Sequence, residues 1–299
     1  MTTKTRNWLI AVFIVVFPFV LFSVFFFSRL AEVPPTPPAL PNPNGYDDLA
    51  KAGHLLADDT GDFNETNAAQ LGKIVSANAA ALALARAGLS NQCRVPIQYT
   101  AFFNSNHVSD LGWIKMLAQG FVAEGRLAEM ENCPADAARS YLDTIHLANE
   151  SVRGGLVIDA LVGAAIEAIG RDHLQTLLPQ LNARTCRKTA AALETLDSQR
   201  QTWNEVMQQE NDWSHASFHE WQNDLARWET RKTTTAMYEK AGKRFDAQGQ
   251  KTRQLIVDLA ARAFELENGK KPATVSDLVP EYLKAVPQDP VNGKDLSLN

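Results

Sequence analysis

No two of the three cysteines in this 299-residue chain, Cys93, Cys133 and Cys186, stand close enough to make a CxxC pair. Their spacing excludes a zinc ribbon and a thioredoxin-like redox motif. It leaves two readings of the thiols, one disulfide plus a free Cys in an oxidising compartment, or buried apolar thiols. No serine elbow, phosphate loop or dinucleotide glycine pattern occurs, so the enzyme classes that carry those motifs find no support. Positive charge is scarce as well. With Lys4, Arg6 and Arg29 set apart, 26 basic residues face 34 acidic ones over residues 31–299, a formal charge of about −8. A surface of that sign repels phosphate backbones, and nucleic acid is excluded as a partner. Proline is sparse in the body: only Pro96, Pro134 and Pro179 fall between Asn44 and Lys271, each where a helix should begin or end.

What the chain does have is an uncharged run, WLIAVFIVVFPFVLFSVFFFS, residues 8–28, which holds seven of its 14 phenylalanines. At 1.5 Å per residue the run is long enough to cross a bilayer core. Lys4 and Arg6 precede it, and no small-x-small cleavage site follows, so it reads as an uncleaved anchor rather than a signal peptide. The basic residues before the span put residues 1–7 in the cytoplasm and everything from Arg29 onward outside it, periplasmic on a bacterial inner membrane. Residues 29–45 follow as a spacer. Six prolines between Pro34 and Asn44 favour an extended polyproline II segment of about 30 Å.

The body, residues 46–299, reads as all-α. Apolar residues recur at three- and four-residue steps from about Asn67 to Ala87, from Val108 to Glu131 and from Pro134 to Ala148. The second and third of these make a helical hairpin of the tetratricopeptide type, without a 34-residue period. Leu156 to Leu178 is apolar almost all round and is expected to be central, with Leu156, Ile158, Leu161, Val162, Ala165, Ile166 and Ile169 buried. Residues 186–268 read as one long protruding hairpin, Cys186 to about Thr230 and then Thr233 to Asn268, with weak points at Gly242 and Gly249. Residues 269–299 form a cap. Gly269 and Pro272 end the helix, TVSDLVPEYLKAV starts a short one, and DLSLN closes as a short strand. Leu278, Val279, Tyr282, Leu283 and Val286 recur at one-helix-face spacing and need a cover, which the helix ending at Asn268 is placed to supply by bringing Tyr282 and Leu283 towards Phe264 and Ala260.

The tail FELENGKKPATVSDLVPEYLKAVPQDPVNGKDL resembles the C-terminal segment of uncharacterised membrane-anchored helical proteins of planctomycete-type bacteria, and the likeness extends to the anchor, to CRVPI and to LVGAAIEAI. That resemblance implies a layout and no activity. The tail is also similar to the ends of type II secretion pseudopilins, where an Asp-Pro turn contributes calcium ligands. The chain departs from those proteins at its start, since TRNWLIAVFIVV has neither their processing site nor their glutamate. Asp289 and Asn292 are therefore read as turn formers.

Two constellations carry candidate chemistry. His215 and His219 lie one helical turn apart, the spacing that offers two imidazoles to one metal, although the zinc-protease order with a glutamate after the first histidine is missing. The alternative is a pair of solvated helix histidines. Trp203, Trp213, Trp221 and Trp228 crowd one stretch, and Trp213, off the seam, with Trp221, is the candidate ligand-stacking pair against the alternative of an aromatic packing seam. No cofactor is implied. The leading expectation is a membrane-anchored scaffold or binding module, not an enzyme, with an envelope protein or glycan as partner. A secretion-assembly subunit and a metal-dependent hydrolase using His215 and His219 are the alternatives.

Overall fold

The structure is a computed structural model that describes residues 35–57, 63–100, 103–217 and 221–298, with the side chains of 104–106 and 221–233 left out of the description. The expected span over residues 8–28 lies outside the described residues. Among those described, the chain is mostly helical and has no strand. The only ladder-like contact there is a bridge between Gln288 and Asp295, so DLSLN pairs without forming the expected strand.

The first element, α1 (Gly45–His54), starts where the Pro-rich segment ends, because the Asn44 side chain accepts the Tyr46 amide as a helix cap. Next come α2 (Ala68–Ala77) and α3 (Ala79–Leu89), which replace the single helix expected from Asn67 to Ala87. The axis bends by 59° at Asn78. Apolar spacing alone cannot reveal this bend. The buried Asn78 side chain donates to the Ile74 carbonyl and accepts the Ala57 amide, tying the joint to a preceding loop. No single described helix is long and apolar enough to cross a membrane; the bent pair α2–α3 passes on length and composition together.

The pair α4 (Phe103–Met130) and α5 (Pro134–Glu150) follows, α4 beginning about five residues before the sequence pattern suggests. Pro134 sits in the first turn of α5, where its missing N–H costs nothing. Asn132, with φ of 58°, supplies the left-handed residue of the turn between them. The N-terminal core joins Leu49, Leu82, Ile114, Phe121 and Leu147.

The next helix, α6 (Val157–Leu177), reverses the expected burial. Leu156 and Ile166 are buried and Val162 is half-buried, whereas Ala165 is exposed and Ile158, Leu161 and Ile169 are 36–39% exposed. Asp159, Glu167 and Arg171 point inward instead, at 0%, 1% and 5% exposure. Each has a specific partner: His107 for Asp159, Arg200 and Thr252 for Glu167, Gln248 for Arg171. Paired charges can occupy an interior that isolated ones cannot.

The long two-helix hairpin expected over residues 186–268 is instead three helices. After α7 (Ala183–Ser198) the chain leaves helical geometry over residues 199–202, and α8 (Trp203–Ser217) begins with a reciprocal Thr202–Glu205 cap. Then α9 (Trp221–Asn268) runs as one helix of 48 residues. The break at 199–202 is held by tertiary bonds: Arg153 donates to the Gln199 carbonyl, Arg200 meets Glu167, and the Gly154 amide donates to the Gln201 side chain. Gly242, expected as a weak point, is a contact. A Cβ there would lie 2.6 Å from the Trp203 indole nitrogen.

In the C-terminal core, Cys186, Ala190 and Leu193 of α7 meet Ile256, Leu259, Ala260 and Ala263 of α9. Gly269, at φ 68°, caps α9 and turns the chain back. The tail docks as its apolar spacing requires, with Leu278 and Leu283 buried and the Tyr282 ring 5.5 Å from Phe264. Only Val275–Leu278 is helical there, as a 3-10 turn. Asp289 accepts bonds from the Val291 amide, the Asn292 amide group and Gln250, which makes it the organiser of the last turn.

Candidate functional site

Of the four residues singled out by spacing, the side chains of Trp213 and His215 are among those described. Trp213 is buried at 6% exposure, packs in the N-terminal core and donates its indole N–H to the Thr100 carbonyl, which corrects its expected role as an exposed stacking platform. The Trp221 side chain and all of His219 lie outside the described residues. His215 is half-buried on α8. No three His, Cys, Asp or Glu side chains converge on one point among the described residues. All three cysteines are free thiols, Cys93 and Cys186 buried and Cys133 exposed. Burial pushes Cys93 up to about 12 and Cys186 up to about 11, so both stay protonated at neutral pH.

The structure assembles a different place. Two adjoining clefts, of about 690 Å3 and about 530 Å3, share Arg94, Arg153 and Gln199. The larger is walled by Ala39–Pro41, by the loop after α3 from Leu89 to Arg94, and by His146 and Glu150 near the end of α5. The smaller adds Gln201, Glu205, Gln208, Gln209 and Asp212 from α8 and the turn before it. Residues from Pro37 onward belong to the same compact unit as the body.

Arg94 stands at the junction, and its backbone is clamped from both sides. Asn44 accepts the Arg94 amide and donates to the Arg94 carbonyl, both at 2.9 Å, while the Val95 amide donates to the Arg153 carbonyl. Its side chain crosses Gly154, where a Cβ would lie 2.9 Å from Nε. Gly154 also has φ of 70°, so glycine is demanded there twice over. The Arg94 guanidinium makes no hydrogen bond or ion pair among the described residues. Its neighbours are spoken for. Arg153 binds Glu150, whose hydrogen bond raises the arginine's pKa, and Arg200 binds Glu167. Burial, with the charge of Arg253, pushes Arg200 down to about 10, which leaves it charged at neutral pH beside its carboxylate.

His146 is lowered by burial and is a neutral imidazole at pH 7. The hydroxyls of Ser90 and Ser198 donate to backbone carbonyls, and Cys93 is held as a thiol. The larger cleft therefore presents one uncompensated cation, a neutral imidazole and amide groups, a set suited to holding a polar ligand.

Neither a family model, nor a curated protein, nor a solved structure matches this chain.

Sequence reasoning passed over Arg94 although it sits in the CRVPI segment, because a lone arginine in an irregular stretch has no periodicity. The usable signal was Asn44 closing the Pro-rich run, a capping residue with two further groups to satisfy.

A second buried polar cluster lies between α1, α4 and α6. His107 Nε2 is 2.5 Å from Asp159 Oδ1, both side chains are inaccessible, and Asp110 stands 3.7 Å from His107 Nδ1. Asp159 also accepts the Leu156 amide that opens α6. Burial opposes the charged imidazole, but the hydrogen bond and charge of Asp159, with Asp110, outweigh it and raise the histidine above its ordinary value. A raised folded-state value means stability present below about pH 6.5 and lost as pH rises through the folded value. The melting temperature of wild type should therefore exceed that of His107→Gln by more near pH 5 than near pH 9; a pH-independent gap would show that His107 does not titrate with folding.

Proposed function

We propose that the chain is a membrane-anchored binding module whose helical body lies outside the cytoplasm and takes an envelope glycan or protein as its partner. The observation that carries this reading is the pair of polar clefts meeting at Arg94, whose backbone is held by Asn44 and whose guanidinium makes no hydrogen bond or ion pair among the described residues. The run over residues 8–28 and the acidic balance beyond it support the placement. The layout of the membrane-anchored proteins that the tail resembles is of the same kind.

Two measurements test the reading together. A phosphatase reporter fused after residue 299 should be active in an oxidising compartment, and the full chain in detergent should gain thermal stability with at least one envelope glycan or purified envelope protein. A fusion made at a normal level whose phosphatase is inactive removes the placement. A melting curve unmoved by every glycan and envelope protein removes the binding module.

A further inference from the structure

We propose that the larger cleft binds an oxyanion, the carboxylate or phosphate of a sugar-sized ligand, in a bidentate grip by the Arg94 guanidinium. This rests on the binding-module reading and names the chemistry its ligand must carry.

Charge balance comes first. Among the groups lining the larger cleft, Glu150 is matched by Arg153 and His146 is neutral, so the charge of Arg94 is the one left over. An arginine fork has donors in a plane that fits two oxygens of a carboxylate or phosphate, and such charge-assisted pairs are stronger than neutral hydrogen bonds. The smaller cleft, which shares Arg94 and Arg153 and adds Arg200, also carries Glu205 and Asp212, so an anion meets carboxylates there that the larger cleft does not add.

Preorganisation comes second. Asn44 holds the Arg94 peptide on both faces, and Arg153 holds the next amide, so little backbone freedom is left to lose on binding. Gly154 leaves the room in which the side chain lies. A surface arginine without function needs none of these supports. Size comes third: about 690 Å3 suits a ligand of one or two sugar rings, larger than a bare phosphate.

The test is titration calorimetry on the full chain in detergent, with D-glucuronate, inorganic phosphate, glucose 6-phosphate and neutral glucose as probes. Saturable binding of glucuronate or glucose 6-phosphate, with neutral glucose at least tenfold weaker, is expected. Binding of glucuronate alone identifies a carboxylate ligand, and binding of glucose 6-phosphate or inorganic phosphate identifies a phosphate one. Arg94→Gln should weaken the bound probe by at least tenfold and Arg94→Lys by less, while Arg139→Gln, an exposed control outside the lining of the cleft, leaves it unchanged. Each Arg94 variant should melt as wild type does, since the Arg94 guanidinium makes no hydrogen bond or ion pair among the described residues. The proposal is overturned if Arg94→Gln binds the anion as wild type does, or if no anionic probe binds. Neutral glucose bound equally by wild type and Arg94→Gln also overturns it, yet leaves the binding module standing. In Gly154→Ala, where the new methyl displaces the Arg94 side chain, anion binding should fall even though the guanidinium is present.

Discussion

Glu167→Ala should lower the melting temperature of the chain by about 10 °C, because it strands a charged arginine in the interior. Glu167 is 1% exposed and faces two partners, Arg200 and the Thr252 hydroxyl, which donates to it at 2.7 Å. Arg200 is 11% exposed at the edge of the smaller cleft, and the other carboxylate acting on it is that of Asp246. Its Nε is already without a hydrogen-bond partner, and its guanidinium lies 5.2 Å from the centre of the Phe245 ring. Removing one member of a buried ion pair costs about 3–5 kcal/mol. For a domain of this size each kcal/mol moves the midpoint by about 2–4 °C. The double replacement Glu167→Leu with Arg200→Met should recover most of the loss, since exchanging both members for apolar groups of similar volume is close to neutral. Thermal melting followed by circular dichroism checks both. A Glu167→Ala loss below about 1 kcal/mol would mean that water reaches Arg200.

Deletion from Pro272 onward should be as severe, by a different route. The tail covers Leu259, Ala260 and Ala263 with Val275, Leu278 and Leu283, and burial of two or three such side chains contributes about 3–6 kcal/mol before the entropy of ordering the segment is subtracted. Polar contacts add direction. Arg187 of α7 lies over the Tyr282 ring at 4.1 Å and pairs with Glu267 and Glu281, and the Lys284 amide donates to Glu194. The truncated chain should melt well below the full one and bind a hydrophobic dye through the exposed face of α9. If its melting curve were unchanged, the tail would contribute recognition rather than stability. The single change Leu283→Ala should cost about 2–5 kcal/mol on the same argument.

These two regions mark the limit of what the sequence discloses. The cap, the stop at Gly269 and the burial of Leu278, Tyr282 and Leu283 were legible from a left-handed glycine, a proline that cannot continue a helix and apolar spacing, although the expected helix forms only over Val275–Leu278. Glu167 and Arg200 were not, because each looks like an interruption until its partner is known. On α6, apolarity all round suggested burial all round, while the structure buries Asp159, Glu167 and Arg171 and leaves Ile158, Leu161 and Ile169 partly in water. Periodicity measures what a helix can bury by itself and has no access to polar partners that arrive from segments 33 to 85 residues away in sequence. Asn78 escaped notice for the same reason, since its role depends on the Ala57 amide. Of the candidate site, the sequence offered CRVPI and the end of the Pro-rich run as separate fragments. Their meeting at Asn44 and Arg94 is tertiary.

The clamp at Asn44 also has a mechanical meaning. Tension applied to the chain ahead of Pro37 enters the folded body through the stretch Pro37–Asn44, and the first interior bonds it meets are those from Asn44 to the Arg94 peptide and from the Gly45 amide to the Gln92 carbonyl. The same stretch supplies one wall of the larger cleft. Stretching it would pull on that wall and on the Asn44 bonds that hold the Arg94 peptide. The cleft is thus built at the point of the fold where force and ligand would act on the same few bonds.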